Sequence, residues 1–239
     1  KHEFGSVLPI GDYAAARVDR SERIRAAGVS IIGALYGSAP LPTASALRVG
    51  SVPALASGDR IWRYAAFSIH SLGNALQEWV LGSSERERFR RQRVGIFLHA
   101  VLGICGGLGI AFLGPGLGSL LFGSDVAPSR SVCLGFGIGF TFVSFSTPIV
   151  RNVLVPGGKT GSVLRSTLVS ACFGLPAMIV GGLRWGAEGV AFGFAFTEIL
   201  NCLILVLSAQ GAVTRRSSEV AAVLGLQSVN FGDSGEYAR

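Results

Sequence analysis

Charge is scarce in this chain. Only 15% of its 239 residues are Asp, Glu, Lys or Arg, against about 25% in an ordinary soluble domain. So few charges cannot coat a soluble globule with polar side chains. With 49% hydrophobic residues and a mean hydropathy of +0.52, the composition points to a membrane protein. Acidic residues are the scarcer sign, 14 against 21 Lys and Arg, for a net charge of +7. In a soluble protein that excess would suggest nucleic acid. Here the basic residues lie between apolar runs, where they orient spans in a bilayer, and nucleic acid is not an expected partner.

Cysteine and histidine are scarce as well. The four cysteines, Cys105, Cys133, Cys172 and Cys202, stand in separate apolar runs without CxxC or metal-ligand spacing. They read as small apolar packing residues. There is no Ser/His/Asp arrangement, no metal-ligand cluster and no pair of carboxylates placed for acid-base work, so no catalytic residue, metal or cofactor is expected and the chain does not read as an enzyme. PGGKTGS at Pro156 to Ser162 ends like a phosphate-binding loop, but Val153 stands where that pattern needs glycine. No signal peptide precedes the first apolar run, and the chain opens on Lys1, so a piece of a longer protein is expected.

What the chain does have is apolar length and 34 glycines. A polar segment, 1–25, leads into six apolar runs at about 26–47, 53–80, 94–112, 131–150, 162–183 and 190–208, and 210–239 reads as a polar tail. A crossing needs about 20 apolar residues, so the fold class is all-α: a polytopic membrane protein whose six helices form one lobe, 26–209. Pro40 and Pro42 should kink the first run. GPGLGSLLFGSDVAPS reads as an interfacial turn after the third. With both ends cytoplasmic, 16 of the 21 Lys and Arg fall on the cytoplasmic side and three on the other, Arg48, Arg130 and Arg184, a clear positive-inside bias. Gly103 to Gly107, Gly135 to Gly139 and Gly189 to Gly193 have GxxxG spacing, the mark of close helix packing.

The second run carries a polar stripe. At 100° per residue, Arg63, His70, Asn74 and Gln77 fall within about 60° of Asp59, with Arg60, Ser71 and Glu78 close behind. Ionisable groups inside a membrane cost about 2.5–3.5 kcal/mol on insertion scales and usually face a bundle interior or water. Arg60, Arg63, His70, Asn74 and Gln77 are therefore candidates for substrate binding, and Asp59, Glu78 and Glu198 for ion or proton coupling. Asp59 and Arg63, spaced i, i+4, either work in the cavity or merely pair near the surface. Glu198, with Asn201 at i+3, either carries a proton or cation or hydrogen-bonds a neighbouring helix. The basic stretch Glu85 to Arg93 reads as a loop that sets orientation and meets anionic headgroups.

LASGDRIWRYAAFSI, ERERFRRQR, LGPGLGSLLFGSDVAPS and NVLVPGGKTGSVLRSTLVSACFGLPAMIVGGLRWGAEGVAFGFAFTEIL follow one another in an order that resembles the C-terminal six-helix half of polysaccharide transporters. These are the oligosaccharide-lipid flippases of the multidrug/oligosaccharidyl-lipid/polysaccharide superfamily, and the likeness covers roughly Arg20 to Ser208. The resemblance implies two six-helix lobes around a cavity, in a bacterial inner membrane. It implies export of polyprenyl-diphosphate-linked glycans by alternating access, with the lipid bilayer, the N-terminal lobe and glycosyltransferases or a polymerase as partners. It places Arg60, and less directly Arg63, opposite the lipid diphosphate. Pro53-Ala54-Leu55 departs from the Gly-x-Tyr start of many members, and no acid stands near Leu41 to Ala44. An ion-coupled multidrug exporter of the same superfamily and a non-transporting scaffold for polysaccharide enzymes are the alternatives.

Overall fold

The computed structural model describes residues 20–223, with the side chains of residues 85, 86 and 212–223 outside that description. Most of the N-terminal segment expected at 1–25, and the end of the tail expected at 210–239, lie outside the described residues. Among the described residues every regular element is helical and there is no strand.

α1 (Arg20–Gly37) and α2 (Pro40–Ala46) meet at a 45° bend. The break falls just ahead of Pro40, which opens α2 where a missing N–H leaves no bond unmade. A short turn through Arg48, at φ +52°, leads into α3 (Val52–Leu81). α4 (Glu85–Phe122) is longer than the run that suggested it. It takes in the basic stretch at its start and passes through Pro115 at its end. The Gly- and Pro-rich stretch read as a turn is therefore helical as far as Gly123, whose φ of +97° ends it. Away from water, leaving the helix strips backbone groups of partners, which outweighs the one hydrogen bond Pro115 gives up.

Ser129 caps α5 (Arg130–Ile149) by accepting from the Val132 N–H at 3.2 Å. Beyond Pro148, α5 loosens into one π turn, Val150–Leu154. Proline cannot supply the expected N–H, and such widened turns absorb the misfit.

α6 (Thr160–Val223) is helical over 64 residues but folds at Gly186, whose φ of +61° and ψ of −138° lie outside any helix. Its two arms, 160–185 and 187–223, run antiparallel. Gly181 lies on Gly189, Met178 on Gly193 and Gly174 on Thr197, and the Ser166 hydroxyl donates to Asn201 Oδ1 at 2.6 Å. Partners fall in number on one arm as they rise on the other, which defines a hairpin.

Small residues set the seams. Gly103 and Gly107 of α4 press on Thr141 and Gly137 of α5, close enough for the Thr141 hydroxyl to reach the Gly103 carbonyl at 2.9 Å. The core gathers Leu55 and Ile69 of α3, Phe136 and Phe140 of α5, and Met178 and Phe194 of α6. Trp62 stands edge-on to Phe194 at 5.1 Å. The outside is equally apolar: Leu120 is 81% exposed, Leu35 69% and Phe67 67%. In water such a surface would drive aggregation, whereas a bilayer solvates it. Three helices are long and apolar enough to cross a membrane, or four if α1 and α2 form one broken span. α3 is long enough, at 30 residues, but its polar stripe keeps it outside that set.

Candidate functional site

The stripe on α3 divides into two stations. At the first, Asp59 is only 2% exposed and accepts a hydrogen bond from Arg63 Nε at 2.6 Å. Arg63 Nη2 also donates to the Gly37 carbonyl at 3.2 Å. That carbonyl ends α1 at the bend, so it lacks a helical donor and carries the negative end of the helix dipole. The pair thus ties α3 to the break between α1 and α2. Asp59 Oδ1 is buried without a partner. Arg60 points elsewhere, exposed and lying over the Phe122 ring at 5.7 Å.

Further along α3, His70, Asn74 and Glu78 are exposed and Gln77 is half-buried. The stripe and the outer surface are not separate faces: Tyr64 and Phe67 are 60% and 67% exposed beside these polar groups, while Asp59 lies among the packed residues. Asn74 Oδ1 accepts a hydrogen bond from Arg151 Nη1. Arg151 belongs to the π turn after α5, and Gly73 makes room for it, since a Cβ there would stand 3.3 Å from Arg151 Nη1. His70 and His99 are within electrostatic reach of the same guanidinium. The π turn is held from α4 as well, where Gln92 Nε2 donates to the Asn152 carbonyl at 2.7 Å. Asn152 Oδ1 is buried without a partner.

A separate polar cluster sits inside the α6 hairpin. Glu198, 4% exposed, lies within interaction distance of the Tyr36 hydroxyl of α1. One turn on, Asn201 accepts from Ser166 through both its side chain and its backbone carbonyl, at 2.6 and 3.1 Å. Ser170 Oγ is buried nearby in sequence without a partner. Among the described residues no group of His, Cys, Asp or Glu could hold a metal ion.

The basic stretch forms the first turns of α4, and its arginines fold back on the end of α3. Arg91 donates to the Trp79 carbonyl at 2.8 Å and lies over the Trp79 ring at 5.0 Å. Cations suit the free carbonyls that end a helix. The structure therefore brings Asp59 together with Arg63, leaves Arg60 and Glu78 apart from them, and joins Asn74 to an arginine the stripe did not contain. Arg151, Tyr36, His99 and Asn152 are the polar residues that sequence reasoning missed. Arg151 looked like one more orienting charge after an apolar run, and no periodicity could link it to a helix 77 residues away.

No protein-family model matches the chain, and no solved structure matches it. Over 108 residues it is 27% identical to a protein of Shigella dysenteriae described as a "Putative O-antigen transporter". That alignment takes in 45% of this chain and 27% of the relative, so the chain matches little more than a quarter of that protein's length. A distant similarity to a membrane transporter, rather than to an enzyme, is what comparison with known proteins adds to the helical apolar fold.

Proposed function

We propose that this chain is the C-terminal six-helix lobe of a flippase that exports lipid-linked polysaccharide precursors across a bacterial inner membrane. The observation that carries the reading is the similarity to the O-antigen transporter. It is supported by the apolar exterior and by a polar stripe on α3, the long helix least suited to lipid. In this reading the six crossings are the broken α1–α2 pair, α3, α4, α5 and the two arms of α6, with both ends in the cytoplasm. The second lobe completes the cavity, and the two rock about a substrate bound near the midplane.

Arg60, exposed and turned away from the first station, is the arginine of the stripe free to meet a substrate diphosphate, because Arg63 is held by Asp59. A planar guanidinium suits phosphate oxygens. The test is joint replacement of Arg60 and Arg63 by alanine in the full-length transporter, reading surface polysaccharide and lipid-linked precursor. Surface polysaccharide should fall while precursor accumulates; normal export at normal protein levels would refute the assignment. Glu198 favours a second reading, an ion-coupled exporter, because a carboxyl buried against Tyr36 could carry a proton. Drug-efflux assays on Glu198→Gln separate the two.

A further inference from the structure

The geometry points to Arg151 as an anion-binding residue of the second station, one that takes the diphosphate of a polyprenyl-linked substrate in exchange for Asn74. The inference rests on the transport reading above and deepens it by naming a second phosphate station, about 20 Å along α3 from Arg60 and so met at a different stage of transit.

Compensation of charge is the first argument. Arg63 faces a carboxylate at 2.6 Å and Arg91 faces Glu87 at 3.0 Å. Among the described residues Arg151 forms no ion pair. Glu78, one turn beyond Asn74 on α3, is exposed and does not pair with it. The partner Arg151 does have is the Asn74 amide oxygen, which satisfies one of five N–H donors and neutralises nothing. The remaining N–H donors and the full charge are left for another ligand.

The surroundings supply the second argument. Asn74, once released, can turn its amide N–H groups toward an anion, and His70 and Gln77 on α3 add further donors within a turn. Gly73 leaves the guanidinium free to lie across α3 or swing from it. Its backbone is a π turn, anchored from α4 by Gln92, and π turns recur at functional positions. A cation with a weak, exchangeable partner, on a firmly held backbone and amid neutral donors, fits an oxyanion such as a diphosphate.

The alternative is a plain tether between α5 and α3, and the two roles separate by mutation. In nanodiscs of zwitterionic lipid, the purified full-length transporter is titrated with farnesyl diphosphate as a short polyprenyl diphosphate, with farnesol, inorganic pyrophosphate and phosphatidylglycerol as further arms. Farnesyl diphosphate should bind best. Arg151→Ala should lose about tenfold or more in affinity, the scale of one charge-assisted contact, and Arg151→Lys should lose part of it. Asn74→Ala breaks the same interhelical bond and removes one neutral donor; it should lose only about threefold, the scale of one neutral hydrogen bond, because the substrate displaces the bond to Arg151 anyway. Equal losses in Arg151→Ala and Asn74→Ala would show a tether and overturn the inference. So would unchanged binding in Arg151→Ala, or phosphatidylglycerol binding as well as the diphosphate. If the wild-type transporter binds no polyprenyl diphosphate, the transport reading fails with it; if it binds and Arg151→Ala binds equally, only this inference fails.

Discussion

The two ends of the α3 stripe lie on one side of the helix in opposite circumstances. Asp59 is buried, paired with Arg63 and through it tied to the bend between α1 and α2. Around Asn74 the polar groups are exposed, and the charge that meets them comes from another element. A helical period places both sets on one side of the helix but says nothing about which will be neutralised from within. The first station therefore reads as a joint that fixes three helical segments, and the second as a place where a charged guest could exchange with a weak internal partner.

The largest effect expected from this contrast is at Gly58, beside Asp59. A side chain there meets Val132 Cγ1 at 2.9 Å and the Phe136 ring at 3.2 Å, inside the core. Gly58→Val should cost on the order of 3 kcal/mol, since an overpacked core has nowhere to move. Thermal unfolding in detergent measures it. An unchanged transition would mean that the first station is looser than its contacts suggest.

Next comes Asp59→Ala. Breaking a fully buried pair costs about 3–5 kcal/mol, but the Arg63 side chain is 41% exposed and recovers solvation, so about 2 kcal/mol is expected. The loss should include loosening of the Gly37 end of α1, read as faster amide exchange there. At the second station Asn74→Ala should cost under about 1 kcal/mol, the value of one partly exposed hydrogen bond. Equal costs at the two sites would erase the distinction between joint and exchange site.

Part of this was legible in the sequence. Apolar composition and run length gave a helical membrane-type fold because that signal is local and repeated. The i, i+4 spacing of Asp59 and Arg63 anticipated their pair, and GxxxG spacing anticipated the tight seams at Gly103, Gly107 and Gly189. What could not be read depends on context. Gly and Pro signal turns where water can take up the freed backbone groups, so α4 was expected to stop before Pro115, which it passes through. The Arg151 contact joins elements far apart in the chain, and the approach of Tyr36 to Glu198 joins α1 to the last helix. Contacts of that kind follow from packing, which one sequence without its relatives does not display.

The smallest expected effect sharpens the comparison most. Gly73 occupies on the second station the place that Gly58 occupies on the first, both buried glycines on the packed side of α3. A methyl at Gly73 meets Arg151 Nη1 at 3.3 Å and Thr147 Cγ2 at 3.4 Å, so its main obstacle is the tip of a flexible side chain rather than a ring in the core. Replacing glycine by alanine inside a helix also gains about 1 kcal/mol, which should offset the crowding. Gly73→Ala is thus expected to unfold within about 1 kcal/mol of wild type while pushing Arg151 off Asn74, a displacement that cysteine cross-linking between α3 and the π turn can follow. A loss as large as that of Gly58→Val would mean that Arg151 is clamped in place, and a clamped guanidinium is not one that trades partners.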